Sequence, residues 1–366
     1  MWDDLAIDGY AELVSCVACG MVYHQTVCTE SDFSRYYSQN GYYAAAETTG
    51  SGGFGYDESL RYQRIYSLLA PHLTNNNPCI VDIGSGKGGF LHWCQDQGFN
   101  NLIAVEKSAQ CADAIKQSLE IPVFSDVFGL AADRQKIDIV ILSHVLEHAF
   151  CPAALLTALL AVTDENTLFY LEVPNATFYV SEPNPWQYLY FEHINHFDLI
   201  HLEALLNRLG MASLSKTHDY FLPNQENFQE CCIVVAKKAI SEERKIFPDN
   251  QLSKLMQEKL SFMPAVFNQL ILDVNEKNKF ISIWGISQYA QLVIAKHPCL
   301  SKHLRYLIDK SPAKCGRFLN GHRVEALDKL SELGERDTLL IPQNIFSAGM
   351  ADILYQAGFS GRRVLF

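Results

Sequence analysis

From residue 78 onward, short apolar runs alternate with segments of helical period, and this alternation restricts the fold more than any other feature. "CIVDIG" reads as a strand and "GGFLHWCQDQG" as a helix; "NLIAVE" and "SAQCADAIKQSL" repeat the pair. "PVFSD", "IDIVILS" and "TLFYLEVP" read as further strands, with the helix "CPAALLTALLAV" between the last two. "LIHLEALLNRLG" is another helix, stopped by Gly210, and "ASLSKTHDY" and "ECCIVVAKKA" read as two final strands. Alternation over this length predicts an α/β fold with a doubly wound, Rossmann-like sheet and a parallel core.

The flanks differ. A chain of 366 residues predicts two or three domains. Residues 1–56 carry "CVACG" and end in the glycine-rich "TTGSGGFGY", which predicts a small loop-rich N-terminal module and a joint. Residues 57–242 hold a first helix (57–73) and the alternating pattern. Residues 243–366 hold a charged helical connector (243–278) and a smaller C-terminal α/β domain, with strands at "FISIWGIS", "LRYLIDK" and "TLLIP". Its "GISQYA" is not a complete glycine fingerprint, so no second nucleotide cofactor is expected.

Composition narrows the function. About half the chain is apolar, the net charge is -12, and no run of Lys and Arg occurs. That balance argues against nucleic acid and anionic membrane surfaces as partners. Eleven scattered cysteines, with Cys231 beside Cys232, look like reduced, cytoplasmic usage rather than a disulfide framework. The most apolar stretch, 137–162, is interrupted by Asp138, His144, Glu147 and His148, which is too polar for a membrane span. "MWDDLAIDGY" lacks a secretory signal pattern.

"VDIGSGKGGF" joins the first strand of the alternation to its helix, with Asp82, Gly84, Ser85, Gly86 and Gly88 in the loop. Glycines let a backbone approach a ligand closely, and ligands bind at the carboxyl ends of strands in such sheets. A Walker loop is excluded, because Lys87 is followed by Gly88 and Gly89. Gly84, Gly86 and Gly89 fit the dinucleotide pattern formally. Asp82 speaks against that pattern, since a carboxylate there suits a cationic ammonium group rather than a pyrophosphate.

This stretch resembles the first motif, D-x-G-x-G-x-G, of class I S-adenosylmethionine-dependent methyltransferases, and the resemblance continues in order. Glu106 matches the acid that holds the two ribose hydroxyls, and Ser125-Asp126-Val127 the position that holds the adenine. "LSHVLEH" (Leu142–His148) matches the fourth-strand motif of many small-molecule methyltransferases, and "LEVPN" (Leu171–Asn175) the fifth strand. The resemblance implies S-adenosyl-L-methionine as cofactor. It places Asp82, Gly84, Ser85, Gly86, Gly88, Phe90, Glu106, Asp126, Val127, Ser143, His144 and Leu146 around it. "EVPN" is not the motif of amino-methylating nucleic-acid enzymes, and no paired-cysteine RNA motif is present. A small-molecule acceptor is expected.

"Tyr190-Phe191-Glu192-His193" resembles the Y-x-E-H segment of sugar C-methyltransferases that act on nucleotide-linked 4-keto-deoxysugars. This resemblance covers nearly the whole chain. "LVSCVACGMVYHQ" is similar to that family's zinc-ribbon-like N-terminal module, and "YLIDKSPAKCGRFLNGHRV" to its C-terminal domain. It implies His193 as the base that removes a proton beside the ketone. A histidine suits this because its pKa lies near working pH. Glu192 would fix the tautomer or stabilise the imidazolium, and Tyr190 would donate to the enolate oxygen. Packing among aromatic rings is the alternative for His193 and the preferred reading for Asn195 and His196. O- or N-methylation of a sugar or natural product, and a non-catalytic nucleotide-binding protein, stay open.

The chain departs from that family at its N-terminus. A closed zinc site takes four ligands, and only Cys16 and Cys19 are evident. His24 and Cys28 would complete a set cramped into thirteen residues. No bound metal is expected, and the knuckle turn is expected to be held by packing. Tyr42 and Tyr43 read as core aromatics or as a lid. The oligomeric state is left open.

Overall fold

The computed structural model describes residues 12–39, 52–133, 136–182, 185–189, 191–224, 227–239, 250–260, 280–312, 314–342 and 350–365. Tyr42, Tyr43 and Tyr190, and most of the expected connector, lie outside these residues. Near the N-terminus, β1 (Glu12–Ser15) and β2 (Val22–Gln25) form an antiparallel hairpin. Cys16 and Cys19 sit in its turn, where the Gly20 N–H donates to the Cys16 carbonyl at 2.8 Å. Helix α1 (Glu30–Gln39) follows. Thr29 and Asp32 start it: the Asp32 carboxylate accepts from the Thr29 N–H and hydroxyl, and Thr29 Oγ1 accepts from the Asp32 N–H. This reciprocal capping satisfies donors that a helix start leaves open. The segment expected to be loop-rich therefore contains a ten-residue helix.

After α2 (Tyr56–Leu69) come β3 (Ile80–Ile83), α3 (Gly89–Asp96), β4 (Leu102–Val105), α4 (Ala109–Leu119) and β5 (Val123–Phe124). They are followed by α5 (Phe128–Asp133), β6 (Ile139–Ser143), α6 (Pro152–Ala161), β7 (Leu168–Pro174) and α7 (Ala176–Ser181). After β8 (Asn195–His196) and α8 (Leu199–Arg208), the hairpin β9 (Met211–Asn224) and β10 (Asn227–Lys238) closes the central sheet. The sheet has seven strands in the order β5-β4-β3-β6-β7-β10-β9. The first five run parallel, and β10 is antiparallel to both neighbours. β3 and β7 are buried throughout, as expected when helices cover both faces.

Alternate residues of each strand feed two cores. Val81, Ile83, Val140 and Leu171 pack with α6 and α8; Ile80, Ile139 and Tyr170 pack with α2, α3 and α4. Cys231 joins the second core and Cys232 the first. The adjacent thiols are on opposite faces of one strand, which keeps them apart.

β8 leaves the central sheet and pairs with β2, Val22 opposite His196 and Tyr23 opposite Asn195. The N-terminal sheet thus takes its third strand from far along the chain. Beyond α9 (Gln251–Leu260) a second α/β unit contains β11 (Phe280–Trp284), α10 (Gln288–Lys296), β12 (Leu304–Ile308), β13 (Phe318–Leu319) and β14 (His322–Glu325). It ends with β15 (Asp337–Ile341), α11 (Met350–Gln356) and β16 (Arg362–Leu365). Its six strands are ordered β13-β14-β12-β11-β15-β16 and are parallel except at β13. Its core is continuous with Tyr179 and Val180 of α7, with Trp186 and Leu189, and with Val22 of β2. Among the described residues no helix is long and apolar enough to cross a membrane.

Candidate active site

The chain steps from β3 outward to β4 and β5, then returns across β3 to β6. This reversal makes the carboxyl end of β3 the switch point where such sheets bind ligands. The glycine loop lies there. Gly84 takes φ +68°, and a Cβ on it would stand 3.0 Å from Val145 Cγ2. The Gly86 and Ser108 N–H groups each donate to the Glu106 carboxylate at 2.7 Å, one to each oxygen. Glu106 thereby ties the loop to the end of β4 and keeps lone pairs for other donors. The Gly89 N–H donates to the Gly52 carbonyl at 2.8 Å, so residues 52–53 lie across the loop.

A cavity of about 550 Å³ opens here. Asp82, Gly86 and Glu106 form one side; Phe128 and Leu155 form another, and Glu30, Phe33 and Tyr37 of α1 a third. Burial pushes the Asp82 carboxyl up to about 8; the Arg61 guanidinium opposes this and Glu106 adds to it. Burial also raises Glu106, against the backbone N–H groups that favour its charged form. At the end of β7, Glu172 is fully buried between Arg61 and Arg64 and accepts from the Ser143 hydroxyl. Burial works to raise Glu172, but Arg61, His144 and Arg64 outweigh it and hold it at about 2.

Histidines gather on the remaining side. His144 takes a left-handed φ of +55°, uncommon outside glycine, and its Nδ1 is 3.1 Å from Glu147 Oε1. Glu147 is 1% exposed, and its Oε2 has no hydrogen-bond partner among the described residues. His148 lines the cavity. Its Nδ1 is 3.0 Å from the Glu192 carbonyl and 3.1 Å from the Tyr37 hydroxyl. The rings of His148 and His193 meet edge to face, 4.7 Å between centroids. Burial, and then the imidazoles of His148, His196, His144 and His24, push His193 well below the usual histidine value. It is a neutral imidazole at working pH, and a weaker base than the near-neutral histidine expected from the sequence. The buried Glu192 carboxylate accepts from the Tyr36 hydroxyl.

Two groups bring three metal-competent donor atoms within 4.8 Å of one another: Glu147, His148 and His193, and His144, Glu172 and Cys231. In the second, Glu172 is engaged by two arginines. Neither group contains Cys16 or Cys19. His24 packs against the His196 ring, and Cys28 is buried with Phe33, Tyr36 and Ile194.

Every residue expected around the cofactor lines the cavity except Gly88 and Leu146. Gly88 is the N-cap of α3 at φ +79°, where a Cβ would come within 2.8 Å of Ile115 Cγ1. Leu146 is wholly buried in the core. The Asp126 carboxylate accepts from the N–H groups of Phe128 and Gly129, at 2.9 and 3.2 Å, and so starts α5. Glu192 and His193 are not on the wall itself; His193 is one ring removed from it, beyond His148. Sequence reading missed Arg61 and the α1 wall. The signal for α1 was the helical spacing of Glu30, Phe33 and Tyr37.

The family model described as a methyltransferase domain matches residues 54–216. The protein carries a methyltransferase domain. Its doubly wound, mostly parallel sheet is Rossmann-like. No curated protein matches the methyltransferase. A SAM-dependent methyltransferase from Archaeoglobus fulgidus is similar at 20% identity, over 50% of this chain and 95% of that one, with a TM-score of 0.38. The 1,6-didemethyltoxoflavin-N1-methyltransferase of Burkholderia thailandensis is similar at 13% identity, over 63% and 100% of the two chains, with a TM-score of 0.39.

Proposed function

We propose that the enzyme methylates a small molecule, a nucleotide-linked keto-sugar, on the carbon beside its ketone. The observation that carries this reading is the His148–His193 pair, a neutral imidazole one ring removed from the wall of the cofactor cavity.

The residues present fit the cofactor. Asp82 offers a buried carboxylate to the ammonium group. Glu106 keeps lone pairs for the ribose hydroxyls after binding Gly86 and Ser108. Val127 and Phe128 offer an apolar slot for the adenine. When bound, S-adenosylmethionine supplies an electrophilic methyl group. The chain's residues prepare the acceptor. A ketone acidifies the neighbouring C–H, and His193 takes that proton, leaving an enolate. Glu192, beside it in sequence and buried, stabilises the imidazolium that forms. The cavity holds the reacting carbon in place, a contribution that can exceed that of the base. The reading makes this a cytoplasmic enzyme of carbohydrate biosynthesis.

One observation favours a second reading. His148, not His193, is on the cavity wall, and it could take the proton of a hydroxyl, giving O-methylation. Incubation of a keto-sugar nucleotide in deuterated water separates the two. Carbon-directed chemistry washes deuterium in beside the ketone. His193→Ala lowers that exchange at least about a hundredfold while calorimetry still shows S-adenosylhomocysteine binding. Turnover with no exchange would favour the hydroxyl as acceptor, and exchange undiminished in the variant would remove His193 as the base.

A further inference from the structure

We propose that Tyr37, on the first helix, is a further catalytic residue whose hydroxyl meets the acceptor's ketone oxygen and donates to it as the enolate forms. This rests on the keto-sugar reading above.

Helix α1 forms a wall of the cavity through Glu30, Phe33 and Tyr37, at positions i, i+3 and i+7 of one face. Phe33 and Tyr36, on the inner side of the same helix, are buried against Ile194. Tyr36 also donates to Glu192, so α1 is anchored to the segment carrying His193. The anchoring fixes where the next side chain, Tyr37, enters the cavity.

The bonds around His148 set the sense of the Tyr37 contact. The Glu192 carbonyl lies 3.0 Å from His148 Nδ1 and can only accept. The Nδ1 therefore carries the hydrogen, which the Glu192 carbonyl shares with the Tyr37 oxygen, 3.1 Å from the same nitrogen. The phenol's own hydrogen then points away from the imidazole. Accepting from an N–H also polarises the phenol and makes it a better donor. Burial and the nearby Glu192 and Glu147 carboxylates raise the phenol well above its ordinary pKa, which keeps it a protonated donor.

The chemistry balances without a further reactant. The proton beside the ketone passes to His193, and the electron pair it leaves spreads onto the ketone oxygen. That oxygen gains negative charge and shortens its hydrogen bond to Tyr37. When the carbon bonds the methyl group, the methyl–sulfur bond breaks and its electron pair stays on the departing sulfide; the ketone reforms, His193 gives its proton to solvent, and Tyr37 keeps its own proton throughout.

The test compares Tyr37→Phe with wild type in the full chain. The probe is a thymidine diphosphate-linked 4-keto-6-deoxyhexose in deuterated water with S-adenosylhomocysteine, followed by turnover with S-adenosylmethionine. Loss of one oxyanion donor costs about a hundredfold or more. The expected result is that loss in both exchange and kcat, with KM, S-adenosylhomocysteine affinity and melting temperature unchanged. Wild-type exchange rates in the variant would overturn the role of Tyr37 and leave the keto-sugar reading standing. Absence of exchange in the wild type would overturn that reading and the role of Tyr37 together. A fall in cofactor affinity or melting temperature matching the fall in rate would assign Tyr37 to packing and overturn the proposal.

Discussion

Asp82 and Glu106 are neighbouring buried acids with different surroundings. Glu106 receives two backbone N–H groups, whereas burial alone dominates at Asp82 and lifts it to about 8. Asp82 is therefore mostly protonated at neutral pH before a cation binds beside it. A cation seated beside it favours the charged form, so binding expels the proton. Affinity for S-adenosylmethionine should rise about tenfold per pH unit below that value and level off above it. Calorimetry across pH 6 to 9, in buffers of different ionisation enthalpy, would show the proton leaving; a flat profile would separate Asp82 from the ammonium group. The folded-state value lies above that of the unfolded chain, so Asp82 costs stability as pH rises between the two. Asp82→Asn should melt higher than the wild type at pH 8 without ligand, yet bind the cofactor more weakly.

The start of α3 is set by Gly88, which faces the core rather than the cavity. Gly88→Ala meets Ile115 Cγ1 at 2.8 Å and holds a left-handed φ. We expect a loss of about 2–4 kcal/mol, measured by denaturant unfolding; an unchanged midpoint would mean that Ile115 yields freely. Elements like this one were legible from sequence because their causes are local. The alternation of β3 through α6, the glycine turn and the stop at Gly210 all rest on neighbouring residues. The strand order, the joining of β8 to β2, and the approach of Tyr36 to Glu192 are long-range contacts. No local pattern encodes them. α1 was missed because cysteine and glycine spacing dominated the reading of residues 1–56. Gly88 and Leu146 belong to a familiar motif, but a motif does not separate residues that touch a ligand from those that shape the loop behind it.

Across the whole molecule, the three parts share cores, and stability reports on groups at their junction. His193 and His196 are both held well below the ordinary histidine value by burial. The unfolded chain takes up their protons below about pH 6.5 while the folded chain refuses them. Their contribution is thus present above that pH and lost as pH falls. Relative to His193→Gln, wild-type stability should drop by up to about 1.4 kcal/mol per pH unit below 6.5. Denaturant unfolding at pH 7.5, 6.5 and 5.5 checks this, and a constant gap between the two proteins would mean that His193 titrates normally. The pairing of β2 with β8 has a further consequence during synthesis. His196 leaves the ribosome roughly 170 residues after Val22, its partner. At about 5–20 residues per second the N-terminal hairpin waits roughly ten to thirty seconds for its third strand. Tyr36 and Tyr37 meet the histidine segment only after that wait, which makes the helix first in the chain among the last pieces to complete the site.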